Sequence, residues 1–421
     1  MTGSDVLIVT AWYPPEPAPF GQMMQELACA LAAQGRRVTV VTSCPNHPQG
    51  VLHPGYRRRL LTRERRGDIE ILRVLTFARP PGSPTRPRSI MERAAALVTF
   101  TVASALAVLL QTRPRVIFGV LQPLTVGLTL PLVARLKRAR LVFNVQDLHP
   151  DAMIDLGLIR SPMLRRMLRA IERRAYRRAD RLTVICEGFR EHCVRRGATP
   201  GRTEVIPNWL DLDEVRPLAG AQRLREELGI PGDAFVVLYA GTIGLVSGAE
   251  VVIEAARLLA GIPDVHFAFI GDGPLVPRLR ARVHSEGLAN VSFSPFQPRE
   301  RLAEVQSLAD VSLVTLRSEH GRTSVPSKVL GYMAAGRPVI ASVDSDSETA
   351  RLVREAGCGE VVPPQDAAQL AEAISSLRND AVRRRECGRQ GRLYLEQNYA
   401  KDVALQRYLA VFDRVLSGEA A

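Results

Sequence analysis

Lysine is nearly absent from this sequence of 421 residues, since only Lys137, Lys328 and Lys401 contribute to its 56 basic residues. Cysteine is also scarce, and the six cysteines form no close pairs, so neither a disulfide framework nor a zinc-binding spacing is indicated. The chain has no helix-turn-helix pattern and no interleaving of aromatic with basic residues, which argues against a nucleic-acid-binding protein. No complete G-x-G-x-x-G motif follows the first apolar run, which disfavours a dinucleotide-dependent dehydrogenase.

What is present is a folded chain with an uneven charge. Hydrophobic residues make up 46% and charged residues 24%, and the length suits two domains. The net charge of +13 divides into +17 for residues 1–210 and −4 for the remainder. A basic first half predicts a polyanionic partner, for which nucleic acid and anionic lipid are the two candidates. The N-terminus lacks the basic start and cleavage site of a secretory signal, so a cytoplasmic protein is expected.

Apolar runs of strand length alternate with helical patterns through both halves of the chain. Runs without polar alternation are typical of buried parallel strands, so each half is expected to form a Rossmann-like, doubly wound α/β domain. The predicted domains are residues 1–207 and 208–395, facing each other across a cleft, with a helix in 396–421 that returns to the first domain. Strands are predicted at 6–10, 38–42, 115–119, 141–145, 182–185, 204–206, 235–239, 266–270, 291–293, 311–314, 338–341 and 359–362.

Three segments of the first half are candidates for membrane contact. Residues 94–112 carry no charge, and a buried crossover helix is favoured there over one that dips into lipid. Residues 160–181 form a basic amphipathic pattern, with arginines around an apolar stripe of Met163, Leu164, Met167 and Leu168. Such a helix fits an anionic membrane surface, although packing of the stripe on its own domain is the alternative. A second basic cluster lies at 57–66.

Glycine-bearing turns follow several predicted strands, where backbone amides can approach phosphates closely. In the first half, Gly21 stands near the start of a helix, a position that favours phosphate. In the second half the turns contain Gly241, Thr242 and Gly244, then Gly271 and Gly273, and Phe296 follows the next strand. The run from Val325 to Ala341 places Lys328 directly before a predicted helix. These turns predict a phosphate-containing ligand.

In this order the motifs resemble those of the family-4 glycosyltransferases of the GT-B fold. Within that family the run Asn144-Val-Gln-Asp-Leu-His-Pro-Asp151 is most similar to bacterial surface-polysaccharide transferases of the colanic-acid and fucosamine-transfer type. The resemblance implies transfer of a hexosyl or N-acetylhexosaminyl group from a nucleotide sugar, with UDP as the expected carrier. It also implies retention of anomeric configuration, no metal or other cofactor, and a lipid-linked or polysaccharide-precursor acceptor. The expected location is the inner face of the cytoplasmic membrane.

The resemblance also suggests roles for individual residues. Lys328 and Arg322 are expected to offset the charge of the leaving diphosphate, with Arg317 as a further candidate. Asp147 is expected to orient or deprotonate the acceptor hydroxyl, and His149 and Asp151 are further candidates for this role. The donor site is expected to comprise Gly21, Gly241, Thr242, Gly244, Gly271, Gly273, Phe296, Arg322, Lys328 and Glu348.

The sequence departs from the family pattern where a ribose-binding glutamate is expected, because Gly331 occupies that position and Thr323 the position of a second glutamate. Glu348 or Glu319 could substitute. A GT-B-fold sugar-nucleotide epimerase is the alternative enzyme class. It would convert the nucleotide sugar alone, whereas a transferase requires an acceptor.

Overall fold

The chain folds as two compact units in a computed structural model that describes residues 4–16, 18–47, 50–57, 59–84, 88–155, 159–218, 221–244, 246–317 and 327–418. Unit 1 runs to Trp209 and resumes at Asp402, and unit 2 comprises Leu210–Lys401. Each unit is built on one sheet covered by helices on both faces, so the predicted doubly wound architecture is confirmed.

Unit 1 contains an eight-stranded sheet of order β3-β4-β2-β1-β5-β6-β7-β8. Only the β3–β4 pair is antiparallel, and this hairpin was not predicted from the sequence. The strand order reverses between β1 and β5, which is where open α/β sheets place a ligand crevice. The strands are β1 (Val6–Val9), β2 (Val38–Ser43), β3 (Leu61–Arg66), β4 (Ile69–Val74), β5 (Val116–Val120), β6 (Arg140–Val145), β7 (Arg181–Val184) and β8 (Thr203–Val205).

Two apolar cores lie on opposite faces of this sheet because successive strand side chains point in opposite directions. Leu7 and Val9 pack with side chains of α2, α3, α5 and α6, whereas Val6 and Ile8 pack with those of α1. These helices, with the short α4, are α1 (Pro19–Ala33), α2 (Ile90–Leu110), α3 (Val126–Lys137), α4 (Asp151–Asp155), α5 (Pro162–Arg178) and α6 (Glu187–Arg195).

Helix α2 differs from the expectation of a buried helix. It begins with a capping box of Ser89 and Glu92, and it crosses from β4 to β5 while packing against β2, β4 and α3. However, only 33% of its most apolar 18-residue window is buried. By length and composition it is the one helix among the described residues that could cross a membrane. The crossover was therefore predicted correctly, but the outer side of the helix is exposed.

Unit 2 contains six parallel strands in the order β11-β10-β9-β12-β13-β14, reversing between β9 and β12. The strands are β9 (Phe235–Ala240), β10 (Val265–Ile270), β11 (Val291–Ser294), β12 (Val311–Thr315), β13 (Val339–Ser342) and β14 (Gly359–Val362). The helices are α7 (Gln222–Glu227), α8 (Glu250–Leu258), α9 (Val276–Ser285), α10 (Leu302–Ser307), α11 (Ser327–Ala334), α12 (Glu348–Glu355), α13 (Ala367–Asn379) and α14 (Ala381–Asn398).

The last helix, α15 (Lys401–Ser417), packs on the sheet of unit 1 beside α1. Tyr408 and Phe412 are fully buried there, and both rings contact Phe118. The Tyr408 hydroxyl accepts a hydrogen bond of 2.9 Å from the side chain of Asn144, at the end of β6. The C-terminal segment is thus part of the core of unit 1.

Candidate functional site

The loop that follows β6 carries the candidate acceptor-side residues of unit 1. Asp147 is about half exposed, and one of its carboxylate oxygens accepts a hydrogen bond of 2.7 Å from Gln122, in the loop after β5. His149 Nε2 lies 3.9 Å from the same oxygen, and His149 Nδ1 is buried without a hydrogen-bond partner. The two residues therefore form a close pair at the carboxyl edge of the sheet, next to the point where the strand order reverses.

Asp151, where this loop ends and α4 begins, has a different environment. Its carboxylate accepts hydrogen bonds from Arg169 at 3.0 and 3.1 Å and from Arg196 at 2.5 Å. Burial by itself would raise the pKa of Asp151, but these hydrogen bonds and the two positive charges lower it overall. A carboxylate held by two arginines is a poor proton acceptor. Of the two aspartates, Asp147 is better suited to contact an acceptor hydroxyl.

A chain of hydrogen-bonded side-chain amides, which begins at the buried Asn144, fixes the start of this loop. The side-chain amide of Asn144 donates hydrogen bonds to the hydroxyls of Thr183 and Tyr408. The side-chain oxygen of Asn144 accepts a hydrogen bond of 2.7 Å from Gln146, and the side-chain oxygen of Gln146 accepts one of 2.7 Å from Asn208. Asn208 lies after β8, near the end of the first segment of unit 1. These hydrogen bonds give Gln146 a role in positioning the loop.

Gly21 lies in the first turn of α1, close to the loop after β1. A Cβ atom there would lie 3.3 Å from backbone atoms of Trp12 and Tyr13. The backbone N–H of Gly21 donates a hydrogen bond to the carbonyl of Ala18. The absence of a side chain lets the helix approach this loop. Contact between Gly21 and a phosphate remains a prediction.

Two glycine turns of unit 2 pack backbone against backbone at the carboxyl edge of its sheet. A Cβ atom on Gly271 would lie 2.0 Å from the carbonyl oxygen of Gly241, and one on Gly273 would lie 2.3 Å from that of Ile243. Gly241 and Gly271 both have positive φ angles. No side chain fits at either contact, so the turns after β9 and β10 form one glycine platform. Thr242 is exposed on it.

Lys328, in the first turn of α11, reaches this platform. The ammonium group of Lys328 would lie 3.8 Å from a Cβ atom on Gly241. The same ammonium lies 3.9 Å from the centre of the Tyr239 ring. A cation over an aromatic face is stabilised electrostatically, so the ring helps to hold the ammonium at the end of β9. Lys328 and the glycine turns are therefore brought together, as an anion-binding site requires.

The other predicted donor-site residues are placed less favourably or lie outside the described residues. Arg317 donates a hydrogen bond of 2.7 Å to Glu250, and this carboxylate offsets the positive charge of Arg317. Glu348 is buried at the start of α12 and lies 3.4 Å from Arg351. Phe296 is 55% exposed after β11. Outside the described residues lie Arg322, Glu319 and Thr323.

The space at Gly331, where the family has a glutamate, is occupied by another side chain. A Cβ atom there would lie 3.3 Å from Gln306 Nε2, so Gln306 fills the volume that a longer residue would need. Within the described part of the chain, no group of three or more His, Cys, Asp or Glu residues is arranged to hold a metal ion.

Two residues of the site were missed from the sequence, Gln122 and Tyr239. Gln122 stands just after the predicted strand at 115–119, so a search of every strand end would have found it. Nothing in the sequence indicates that Tyr239 lies under Lys328, because this contact depends on the packing of α11 against β9.

Sequence families match both units. The glycosyl transferase 4-like domain matches residues 20–209, and the glycosyl transferases group 1 family matches residues 221–394. The chain therefore belongs to the GT-B glycosyltransferases of group 1 with a family-4 N-terminal domain. Both are transferase families, which favours glycosyl transfer over the epimerase alternative.

Among curated proteins, the chain is similar to the putative colanic acid biosynthesis glycosyl transferase WcaI of Escherichia coli K12. The two are 28% identical over 412 residues, covering 96% of this chain and 98% of WcaI. Among solved structures it resembles sucrose-phosphate synthase of Thermosynechococcus elongatus, with 20% identity, a TM-score of 0.69, and 98% and 99% of the two chains covered. It also resembles Anabaena HepE in complex with UDP-glucose, with 16% identity, a TM-score of 0.62, and coverage of 98% and 99%. These structural likenesses support the GT-B fold. The recognised family and the fold are thus confirmed.

Proposed function

We propose that this enzyme transfers a hexosyl or N-acetylhexosaminyl group from a UDP-sugar, bound by unit 2, to an acceptor hydroxyl bound by unit 1. The observation that carries the proposal is the glycine platform after β9 and β10 with the ammonium of Lys328 above it. Backbone turns that tolerate no side chain, with one cation nearby, suit a diphosphate. The UDP-glucose complex of HepE supports the choice of nucleotide.

In this reaction the bond from the anomeric carbon to the diphosphate breaks, and a bond to the acceptor oxygen forms. UDP leaves as an anion that Lys328 stabilises electrostatically. Asp147 accepts the hydroxyl proton, since it is half exposed and bonded to the neutral Gln122 rather than to a cation. His149, 3.9 Å away, is placed to share the proton. The family resemblance supports retention of anomeric configuration, and the proposal requires neither a metal nor another cofactor.

We further propose a lipid-linked or polysaccharide-precursor acceptor, presented at the inner face of the cytoplasmic membrane. The colanic-acid assignment of WcaI supports this acceptor class. The arginine-rich helix α5 supports a location on an anionic surface, since each basic residue near such a surface contributes about 1 kcal/mol.

Thermal unfolding with a panel of ligands tests the donor site. UDP and UDP-sugars should stabilise the protein by about 2.7 kcal/mol when present at about 100 times their Kd. Uridine should stabilise it far less, because it lacks the diphosphate that the platform binds. GDP- and ADP-sugars serve as base controls. Equal stabilisation by uridine and UDP, or none by any of these ligands, would contradict the proposed site.

A further inference from the structure

Exposed apolar side chains are concentrated on three helices of unit 1. Of twenty large apolar residues that are exposed within the described part of the chain, thirteen lie on α2, α3 and α5. Single exposed apolar residues are ordinary, but a contiguous group on adjacent helices indicates a surface that is covered in function. The thirteen residues are Ile90, Met91, Leu97, Val98, Val102, Leu106, Leu110, Leu128, Leu132, Leu136, Met163, Leu164 and Met167.

The three helices form one continuous layer on the same face of the sheet. Thr101 of α2 lies 2.6 Å, oxygen to oxygen, from Thr125 at the start of α3. Gly127 of α3 lets α5 approach, since a Cβ atom there would be 2.8 Å from that of Ala175. On α2 and α3 the exposed residues recur every four positions, as in Val98, Val102, Leu106 and Leu110, and in Leu128, Leu132 and Leu136. Residues four apart share one side of a helix, so these rows form an apolar face, here called the three-helix face.

Positive charges predominate on the three helices of this face. The three helices carry ten basic residues and only two acidic ones. Of the two, Glu92 accepts from the backbone of Ser89 in its capping box, and Glu172 is fully buried. On α5, Arg166, Arg173 and Arg174 are exposed. An apolar face bordered by unopposed arginines is complementary to a layer that is apolar inside and anionic at its surface.

We propose that the three-helix face docks unit 1 on an anionic phospholipid bilayer, with the apolar rows of α2 and α3 below the headgroups and the α5 arginines among them. A second copy of the chain is a poorer occupant. A two-fold interface would pair the same face with itself and bring the arginines of both copies together. The inference rests on the proposed function only in that a lipid-linked acceptor gives such docking a purpose.

Flotation with lipid vesicles tests the proposal. The full-length protein should float with vesicles of phosphatidylcholine and phosphatidylglycerol, and much less with phosphatidylcholine alone. Changing Val98, Val102 and Leu106 together to Gln should reduce vesicle partitioning by at least about tenfold, because these side chains lose apolar burial. The matched control changes Leu258 and Val382 to Gln, since both are exposed apolar residues of unit 2. It should float like the native protein.

The arginines are tested separately. Changing Arg166, Arg173 and Arg174 to Gln should abolish the preference for anionic vesicles, and rising salt should weaken native binding in the same way. Arg165 and Arg169 are left intact because they bond to Ile159 and Asp151. Flotation of the α2 variant at the native level would overturn the proposal. So would a native dimer in sedimentation that the α2 substitutions dissociate, since a second copy would then cover the face.

Thermal shift with UDP, measured on the same samples, separates this inference from the proposed function. Loss of flotation with an unchanged UDP shift supports docking and shows that the variant is folded. A native protein that responds to UDP but floats with neither vesicle overturns docking and leaves glycosyl transfer standing. A protein that floats but ignores every nucleotide sugar overturns the transferase proposal instead.

Discussion

At the scale of single residues, the two aspartates of the loop after β6 show how environment divides similar side chains between roles. Asp151 is held by Arg169 and Arg196, whereas Asp147 accepts one hydrogen bond from a neutral amide and is half exposed. A carboxylate paired with two cations is stabilised in its charged form. It therefore has little tendency to accept a proton from a substrate. Asp147 is therefore the aspartate that we propose for proton transfer.

Asp147→Asn should therefore lower the rate of sugar transfer by about a hundredfold or more, because general bases commonly contribute 10²–10⁴-fold. Binding of UDP should be unchanged, since the donor is assigned to unit 2. Turnover and thermal shift measured together give this distinction. Asp68→Asn removes a carboxylate that is 89% exposed and should change neither. Loss of UDP binding in Asp147→Asn would contradict the assigned role.

Lys328→Met should reduce kcat/KM by about 10²–10³-fold, because it removes the one cation placed at the glycine platform among the described residues. Methionine keeps an apolar chain over Tyr239, so the protein should remain folded. Steady-state kinetics compare this variant with Lys401→Met, which changes another of the three lysines. Near-native turnover would remove Lys328 from the diphosphate site.

At the scale of elements, α4, α5 and α6 are joined by Asp151, which begins α4 and bonds to an arginine on α5 and another at the end of α6. Asp151→Asn should lower the free energy of unfolding by about 1.5–3 kcal/mol at neutral pH, as expected for hydrogen bonds to a charged group. Both tryptophans, Trp12 and Trp209, lie in unit 1, so their fluorescence during urea unfolding reports on this unit.

This stabilisation should depend on pH in a defined direction. Burial alone would raise the pKa of Asp151. In the folded protein Arg196 and Arg169 outweigh this effect, so the pKa is lowered overall. The stabilisation is therefore complete above the pKa of the unfolded carboxyl, about 3.9, and disappears as the pH falls through the lower folded value. The difference between native protein and Asp151→Asn should shrink as the pH falls below about 4. A difference that grows on acidification would contradict this account.

The elements that could be predicted from the sequence are those with an uninterrupted apolar pattern. Buried parallel strands such as β1 and β9 are apolar on both faces and were found within a residue or two. The β3 strand was missed because Leu61–Arg66 is an arginine-rich edge strand without apolar alternation. The exposure of α2 was also missed, since a run without charges looks the same whether it faces a protein core or another apolar phase.

The candidate site could be predicted in part for a similar reason. Ligand-binding turns follow strands, so the glycines after β9 and β10, Lys328 and Asp147 are all visible in the sequence. Their partners come from other elements, and sequence spacing does not reveal them. Gln122 beside Asp147 and Tyr239 beneath Lys328 depend on tertiary packing, as does the occupation of the Gly331 space by Gln306.

At the scale of the whole molecule, the proposed chemistry stabilises the leaving diphosphate with a lysine and backbone turns and requires no divalent cation. Transfer should therefore survive treatment with EDTA. Product formation is compared before chelation, after chelation, and after adding Mn²⁺ back. Complete loss with EDTA that Mn²⁺ restores would contradict the proposed stabilisation of the leaving diphosphate.

The proposed function is the transfer of a sugar from a nucleotide to an acceptor. The most direct measurement incubates the protein with each UDP-sugar, with and without a lipid-linked saccharide acceptor, and follows both UDP release and the sugar nucleotide. The account predicts UDP release that requires the acceptor and equals the amount of sugar transferred, with no change in the sugar nucleotide when the acceptor is left out. Conversion of the nucleotide sugar to an epimer without any acceptor would contradict it.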